Sequence, residues 1–299
     1  MGLFSKKPPC AICGGKVSWL LPSKIEGEYV CTNCYNKIDM DSEKARQLTM
    51  QGFREYLAFY DENQLLKSQF NISEVVDLGL FDTKIAFDYT NKLFCMSKNL
   101  DKTIFEGKLL KSFIIKEDNT PLYEGSAAGV KRYTSTVPDR AMAMGPEIIR
   151  YVMSRQLAKT LDKLDDGKEN FSAPTTYCEI TEPFRSFNIE FHMDHPYWTV
   201  IKCDMEGPRF SNDNPDVNDY LNSYRFCINE LEKLVTSIKT ISFPTAPEQF
   251  VNLGMSGVQA AAAPQVDSFE EIKRYKELME QGIISQQEFD AKKKQLLGI

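Results

Sequence analysis

The chain has two histidines and two tryptophans in 299 residues, and no apolar run approaches the roughly 18 residues that a membrane-spanning helix requires. Scarce histidine removes the commonest general base and nitrogen ligand from most of its length. No glycine-rich phosphate loop and no nucleophile elbow occurs, so the usual signatures of phosphoryl transfer and serine hydrolysis are missing. Basic excess is missing too, since the formal net charge is −6. The charge is uneven, +2 over residues 1–50, −1 over 266–299 and −7 between them. A protein that grips phosphates needs a basic face, which makes nucleic acid a disfavoured partner. A leader is not evident: Met1-Gly2-Leu3-Phe4-Ser5-Lys6-Lys7 runs into two prolines with no apolar h-region. Lys6 stands where a myristoylated N-terminus wants Ser or Thr. The expectation is a cytoplasmic protein whose contact with a membrane, if it has one, is peripheral. In that compartment the eight cysteines stay reduced, and closely spaced pairs read as metal ligands before disulfides.

Two such pairs are present: Cys10-x2-Cys13, a gap of seventeen residues, then Cys31-x2-Cys34. A two-residue gap turns both sulfurs of a pair toward one point, and an intervening hairpin can bring the pairs into a tetrahedron of thiolates. The expected cofactor is one structural Zn2+ on Cys10, Cys13, Cys31 and Cys34, with an iron–sulfur cluster or a redox pair as competing readings. Four protein ligands leave no open position, so the metal is read as a fold support. Gly14-Gly15 supply positive-φ freedom behind the first pair, and strand-like runs at 17–21 and Glu28–Val30 flank a turn with Ser23 and Gly27. Such a module has almost no apolar core, so the metal supplies most of its folding energy.

The fold class expected is α+β, in five parts. Residues 8–38 form a zinc ribbon with four cysteine ligands. Residues 39–69 form a connecting helix, capped by Ser42 or Thr49, with Phe53, Tyr56, Leu57 and Tyr60 on one face. Residues 70–243 form a central domain. Its short runs at 72–81, 85–87, 93–96, 103–105, 109–115, 187–192 and 198–205 are broken by turn-formers and predict antiparallel hairpins. A helix begins at Gly145-Pro146, with Ile148, Val152, Leu161 and Leu164 on its buried side. A longer one opens at Asn214-Pro215, where Val217, Leu221, Tyr224, Ile228, Leu231, Val235 and Ile238 recur at helical spacing. The shape predicted is one antiparallel sheet or partial barrel of six or seven strands, capped by that long helix.

Residues 244–265, rich in Pro and Ala, read as a flexible linker. Residues 266–299 read as a helical hairpin with capping boxes at Ser268/Glu271 and Ser285/Glu288. Its apolar side is Phe269, Ile272, Leu278, Ile283, Ile284, Phe289, Leu296 and Leu297. So short a hairpin cannot bury enough surface to stand alone, which points to self-association or a protein partner.

Other chemistry is sparse. His192 and His195 sit three apart on a strand and so point to opposite faces, which favours a packed sheet corner with Tyr197 and Trp198 over joint coordination. Cys95, Cys178, Cys203 and Cys227 are scattered and read as small buried residues. No catalytic residue is assigned, and the chain is not expected to be an enzyme.

Two segments resemble known modules. Gly282-Ile283-Ile284-Ser285, Glu288-Phe289, Lys292–Lys294 and Leu296-Leu297 resemble the core of the bacterial short C-terminal domain, SHOCT. Met1-Gly2-Leu3-Phe4 followed by the four cysteines resembles an uncharacterised bacterial zinc-ribbon family. The central order of strands then helix is similar to that of pleckstrin-homology-like domains. These resemblances imply oligomerisation or localisation for the tail, a structural role for the zinc, and no catalysis. The leading expectation is a non-catalytic scaffold or adaptor. The alternatives are nucleic-acid binding through Lys6, Lys7, Lys16 and Lys24 of the ribbon, and recognition of a membrane surface by the central domain or by Leu3-Phe4-Lys6-Lys7.

Overall fold

A computed structural model describes residues 8–252, except 41, 80–82, 98, 100–101 and 165–179, with backbone only for 157–164. Ser23–Ile25 (β1) and Glu28–Val30 (β2) pair antiparallel across a turn in which Glu26 (φ 49°) and Gly27 (φ 87°) are both left-handed, the geometry that suits a tight hairpin. The first strand therefore lies later than expected. Residues 17–21 are irregular instead, and Trp19, Leu20 and Leu21 are exposed. Strand-like composition favours a strand only where the side chains have a surface to pack on.

Thr32–Tyr35 (α1) and Ser42–Arg46 (α2) are single turns ahead of Met50–Gln69 (α3). Thr49 caps α3, its hydroxyl accepting the Gly52 N–H at 3.0 Å, which satisfies one of the orphan donors of the first turn. Phe53, Tyr56 and Leu57 are buried, as their spacing requires.

Glu74–Asp77 (β3), Lys84–Asp88 (β4), Leu93–Ser97 (β5) and Ile104–Glu106 (β6) form an antiparallel meander. The fully buried Asp88 closes its hairpin by accepting the N–H groups of Asn71 and Asn91 at 2.9 and 3.0 Å. A second sheet is built from Leu110–Glu117 (β7), Thr120–Ser126 (β8) and Gly129–Tyr133 (β9). Two helices, Val137–Ala143 (α4) and Gly145–Leu164 (α5), follow. Ser186–Met193 (β10), Val200–Glu206 (β11), Val217–Ser242 (α6) and Glu248–Val251 (β12) complete the described chain. The strand order of this sheet is β11-β10-β7-β8-β9-β12.

The single sheet of six or seven strands is thus corrected to two sheets of four and six. The purely antiparallel pattern is corrected as well, because β12 runs parallel to β9. β12 lies inside the stretch read as a flexible linker. Glu248 holds it in place through Lys239 (2.6 Å) and Arg132 (3.3 Å), and the Pro247 carbonyl accepts the Val130 N–H at 2.8 Å. Helix α6 is capped by Asp216, which accepts from Asn218 and Asp219. Its buried stripe of Leu221, Tyr224, Leu231, Val235 and Ile238 joins one continuous core with Phe87 and Phe94 of the first sheet and Phe113, Ile189 and Phe191 of the second.

Among the described residues no helix is long and apolar enough to cross a membrane. The expected C-terminal hairpin of residues 266–299, with its eight apolar residues from Phe269 to Leu297, lies outside the described residues, as does Cys178.

Candidate metal centre

Each cysteine pair sits in a turn that converges its sulfurs. At the first, the Cys10 N–H donates to the Gly15 carbonyl and the Gly14 N–H to the Cys10 carbonyl, both at 2.9 Å. Gly14 has φ 70°, a conformation that costs glycine little. At Gly15 a Cβ would stand 3.2 Å from Cys13 Sγ, so the second glycine leaves room for the sulfur. The second pair straddles the start of α1, where the Cys31 carbonyl accepts the N–H groups of Cys34 (3.1 Å) and Tyr35 (3.0 Å). The pairs are tied together because the Ala11 N–H donates to the Tyr29 carbonyl on β2 at 2.9 Å.

The four Sγ atoms lie within 4.8 Å of one another, with Cys13 and Cys31 3.6 Å apart. A tetrahedral ion with metal–sulfur bonds of about 2.3 Å sets its ligands about 3.8 Å apart, so this donor set fits a metal ion. All four expected ligands are brought together. Among the described residues no other group of three or more His, Cys, Asp or Glu converges in this way. Cys10, Cys31 and Cys34 are buried, and Cys13 faces solvent. Burial raises the Cys10 thiol, but the N–H groups of Cys13, Cys31 and Ile12 outweigh it and bring it down to about 6. Burial and the neighbouring sulfurs push Cys34 up.

The expectation of a nearly coreless module needs revision. Ile25 and Val30 of the hairpin close over the sulfurs together with Phe53 and Leu57 of α3, while Ile12, Val17, Tyr35 and Ile38 pack at the margin. Two polar bonds lock this arrangement. Arg54 donates to the Ala11 carbonyl, and Glu26 accepts the Met50 N–H at the start of α3, both at 2.9 Å. The spacing of Phe53 and Leu57 was visible in the sequence, but the surface they cover was not.

The histidines occupy different surroundings. His195 is buried among Phe59, Phe105, Tyr197 and Trp198, its ring centroid 5.0 Å from Phe59 and 4.9 Å from Trp198. Its Nδ1 accepts the Tyr197 N–H at 3.1 Å, and burial lowers its pKa, consistent with a packed corner. His192 instead lies 3.8 Å from Glu190 and lines a surface depression of about 440 Å³ with Ser112, Glu124, Ser126 and Lys131. Cys95 is fully buried, whereas Cys203 and Cys227 are partly so.

Residues 8–56 match the family described as a domain of unknown function (DUF4428), and residues 270–297 match the short C-terminal domain. The first match ends inside α3, so it takes in Phe53 but stops one residue short of Leu57. The second bears out the resemblance of the tail. An uncharacterized protein of Archaeoglobus fulgidus is 43% identical over 51 residues, which is 17% of this chain and 27% of that protein. The chain thus covers about a quarter of that relative's length. No solved structure matches this chain.

Proposed function

We propose that the chain is a non-catalytic scaffold or adaptor. Cys10, Cys13, Cys31 and Cys34 hold one structural zinc ion, and the C-terminal segment associates with copies of itself or with a protein partner. The observation that carries this reading is the donor set. Four sulfurs converge, as many donors as a tetrahedral ion takes, and a metal closed in this way supports a fold instead of activating a substrate. Thiolates favour zinc over the hard cations magnesium, calcium and manganese. The ion's work is to hold the β1–β2 hairpin and the start of α1 against α3.

The match of residues 270–297 to the short C-terminal domain supports a modular tail. A helical pair of this size buries too little surface alone and gains it by association. Joining weakly binding modules on one chain raises their effective concentration for a common target.

Elemental analysis and light scattering test the two halves. One zinc per chain is expected, and iron in its place would overturn the metal assignment. The full chain is expected to assemble, and a chain ending at Asn252 to be monomeric. That end point keeps β12 and its bonds to Lys239 and Arg132. Monomers in both samples at micromolar concentration would sink the tail's role.

A further inference from the structure

The loop between the two cysteine pairs presents Trp19, Leu20 and Leu21 outward, with 74, 70 and 83% of their surface exposed. The metal centre does not use them, since Ile25, Val30, Phe53 and Leu57 cover the sulfurs. We propose that this loop inserts into the interfacial layer of an anionic lipid bilayer, with Lys16 and Lys24 against the headgroups. The inference is independent of self-association by the tail, because a monomer carries the same loop.

The charge pattern of the hairpin supports that occupant. Lys16 and Lys24 bracket the loop and are exposed. Lys24 lies within β1 opposite Tyr29, and Ile25, the next residue, stands opposite Glu28 across the turn. Glu26 is turned onto the Met50 N–H.

Tryptophan is enriched at both protein and membrane interfaces, so the lysines and leucines are what favour lipid as the occupant. Lysine is depleted at the cores of protein interfaces, and leucine is under-represented among their energetic centres. Tryptophan beside aliphatic side chains, rimmed by lysines whose stems can lie along hydrocarbon, is the pattern of a membrane interface. Both ends of the loop are anchored by the metal-binding pairs, so little chain freedom is lost on insertion.

The zinc-loaded full chain should co-sediment with vesicles of phosphatidylcholine plus phosphatidylserine, and added salt should weaken the binding. A Leu20→Asp/Leu21→Asp variant that keeps its zinc should bind about tenfold more weakly or worse. Lys16→Glu/Lys24→Glu should lose the preference for anionic vesicles. In the unaltered chain, brominated lipid should quench Trp19, because Trp198 lies in the aromatic cluster around His195. A wild-type chain that stays in the supernatant, an aspartate variant that pellets as well as wild type, or emission untouched by brominated lipid would each overturn the proposal.

Discussion

Four thiols within 4.8 Å cannot all ionise unaided, because each thiolate raises the cost of the next. The opposite shifts of Cys10 and Cys34 express that conflict, which a bound divalent cation would resolve. Cys34→Ser should therefore cost more metal affinity than the ~10–100-fold typical of outer-shell changes, read as zinc per chain, with loss of the module's melting transition. A second residue, Glu117, contributes to the pH dependence of stability. Glu117 is buried and accepts from Tyr224 and Ser135. Burial raises its pKa, and those hydrogen bonds with nearby Arg140 offset only part of the rise. The folded protein then holds this proton more tightly than the unfolded chain. The stabilisation is full below the ordinary carboxylate range and is lost as pH rises through the raised value. Glu117→Gln keeps an acceptor for Tyr224 and never ionises. Thermal unfolding across acid to neutral pH should show a flatter dependence, with stability at neutral pH unchanged or higher by on the order of 1 kcal/mol.

Elements whose signal is local were legible in the sequence. The cysteine spacing located the cluster of four sulfurs, Thr49 is the one of the two expected caps, Ser42 or Thr49, that starts α3, and the apolar stripe of α6 identified both the helix and its buried face. Elements whose signal is non-local were not. β8 and β9 fall outside the expected runs and carry Pro121, Gly125 and Gly129, residue types that favour turns over strands. Gly125 is there because a Cβ would lie 2.1 Å from the Phe113 ring across the strand pair. β12 follows Pro247 and pairs with β9, far earlier in the chain. The division into two sheets depends on β7 pairing with β10 across the α4–α5 excursion, which no local pattern announces. Asn63 is a further case, a polar residue on the α3 face that meets β6. Its Nδ2 donates to the Ile104 carbonyl at 2.7 Å and its Oδ1 accepts the Ile104 N–H at 3.0 Å, so a side chain takes the place of a neighbouring strand. Asn63→Leu fits the volume but leaves two buried backbone groups unpaired, at about 1–3 kcal/mol each. The denaturant midpoint should fall correspondingly, with little change in slope.

At the scale of the whole described unit, α3 is the member through which the metal can be felt elsewhere. Phe53 and Leu57 close the metal centre. One turn on, Tyr56 and Phe59 enter the aromatic cluster with His195, Tyr197 and Trp198, at 5.0 Å between the Tyr56 and Tyr197 rings. The Tyr56 hydroxyl also accepts the Asp39 N–H at 2.8 Å and donates to the Lys37 carbonyl, binding the end of the module to the same cluster. Further along, Asn63, Leu66 and Phe70 fasten the helix to β5 and β6. The large shared core of the two sheets does not include the sulfurs. Chelation should therefore unfold the hairpin and fray α3 from Met50 to about Phe59, leaving both sheets folded. In a Trp19→Phe chain, where Trp198 is the sole tryptophan, its emission should shift on adding chelator and return with zinc. Amide exchange should accelerate in residues 8–59 while β7 and β10 stay protected. A Trp198 signal indifferent to chelator would mean that the module hangs from α3 without bearing on the cluster. Loss of protection in β10 would mean instead that metal and sheets form one cooperative unit.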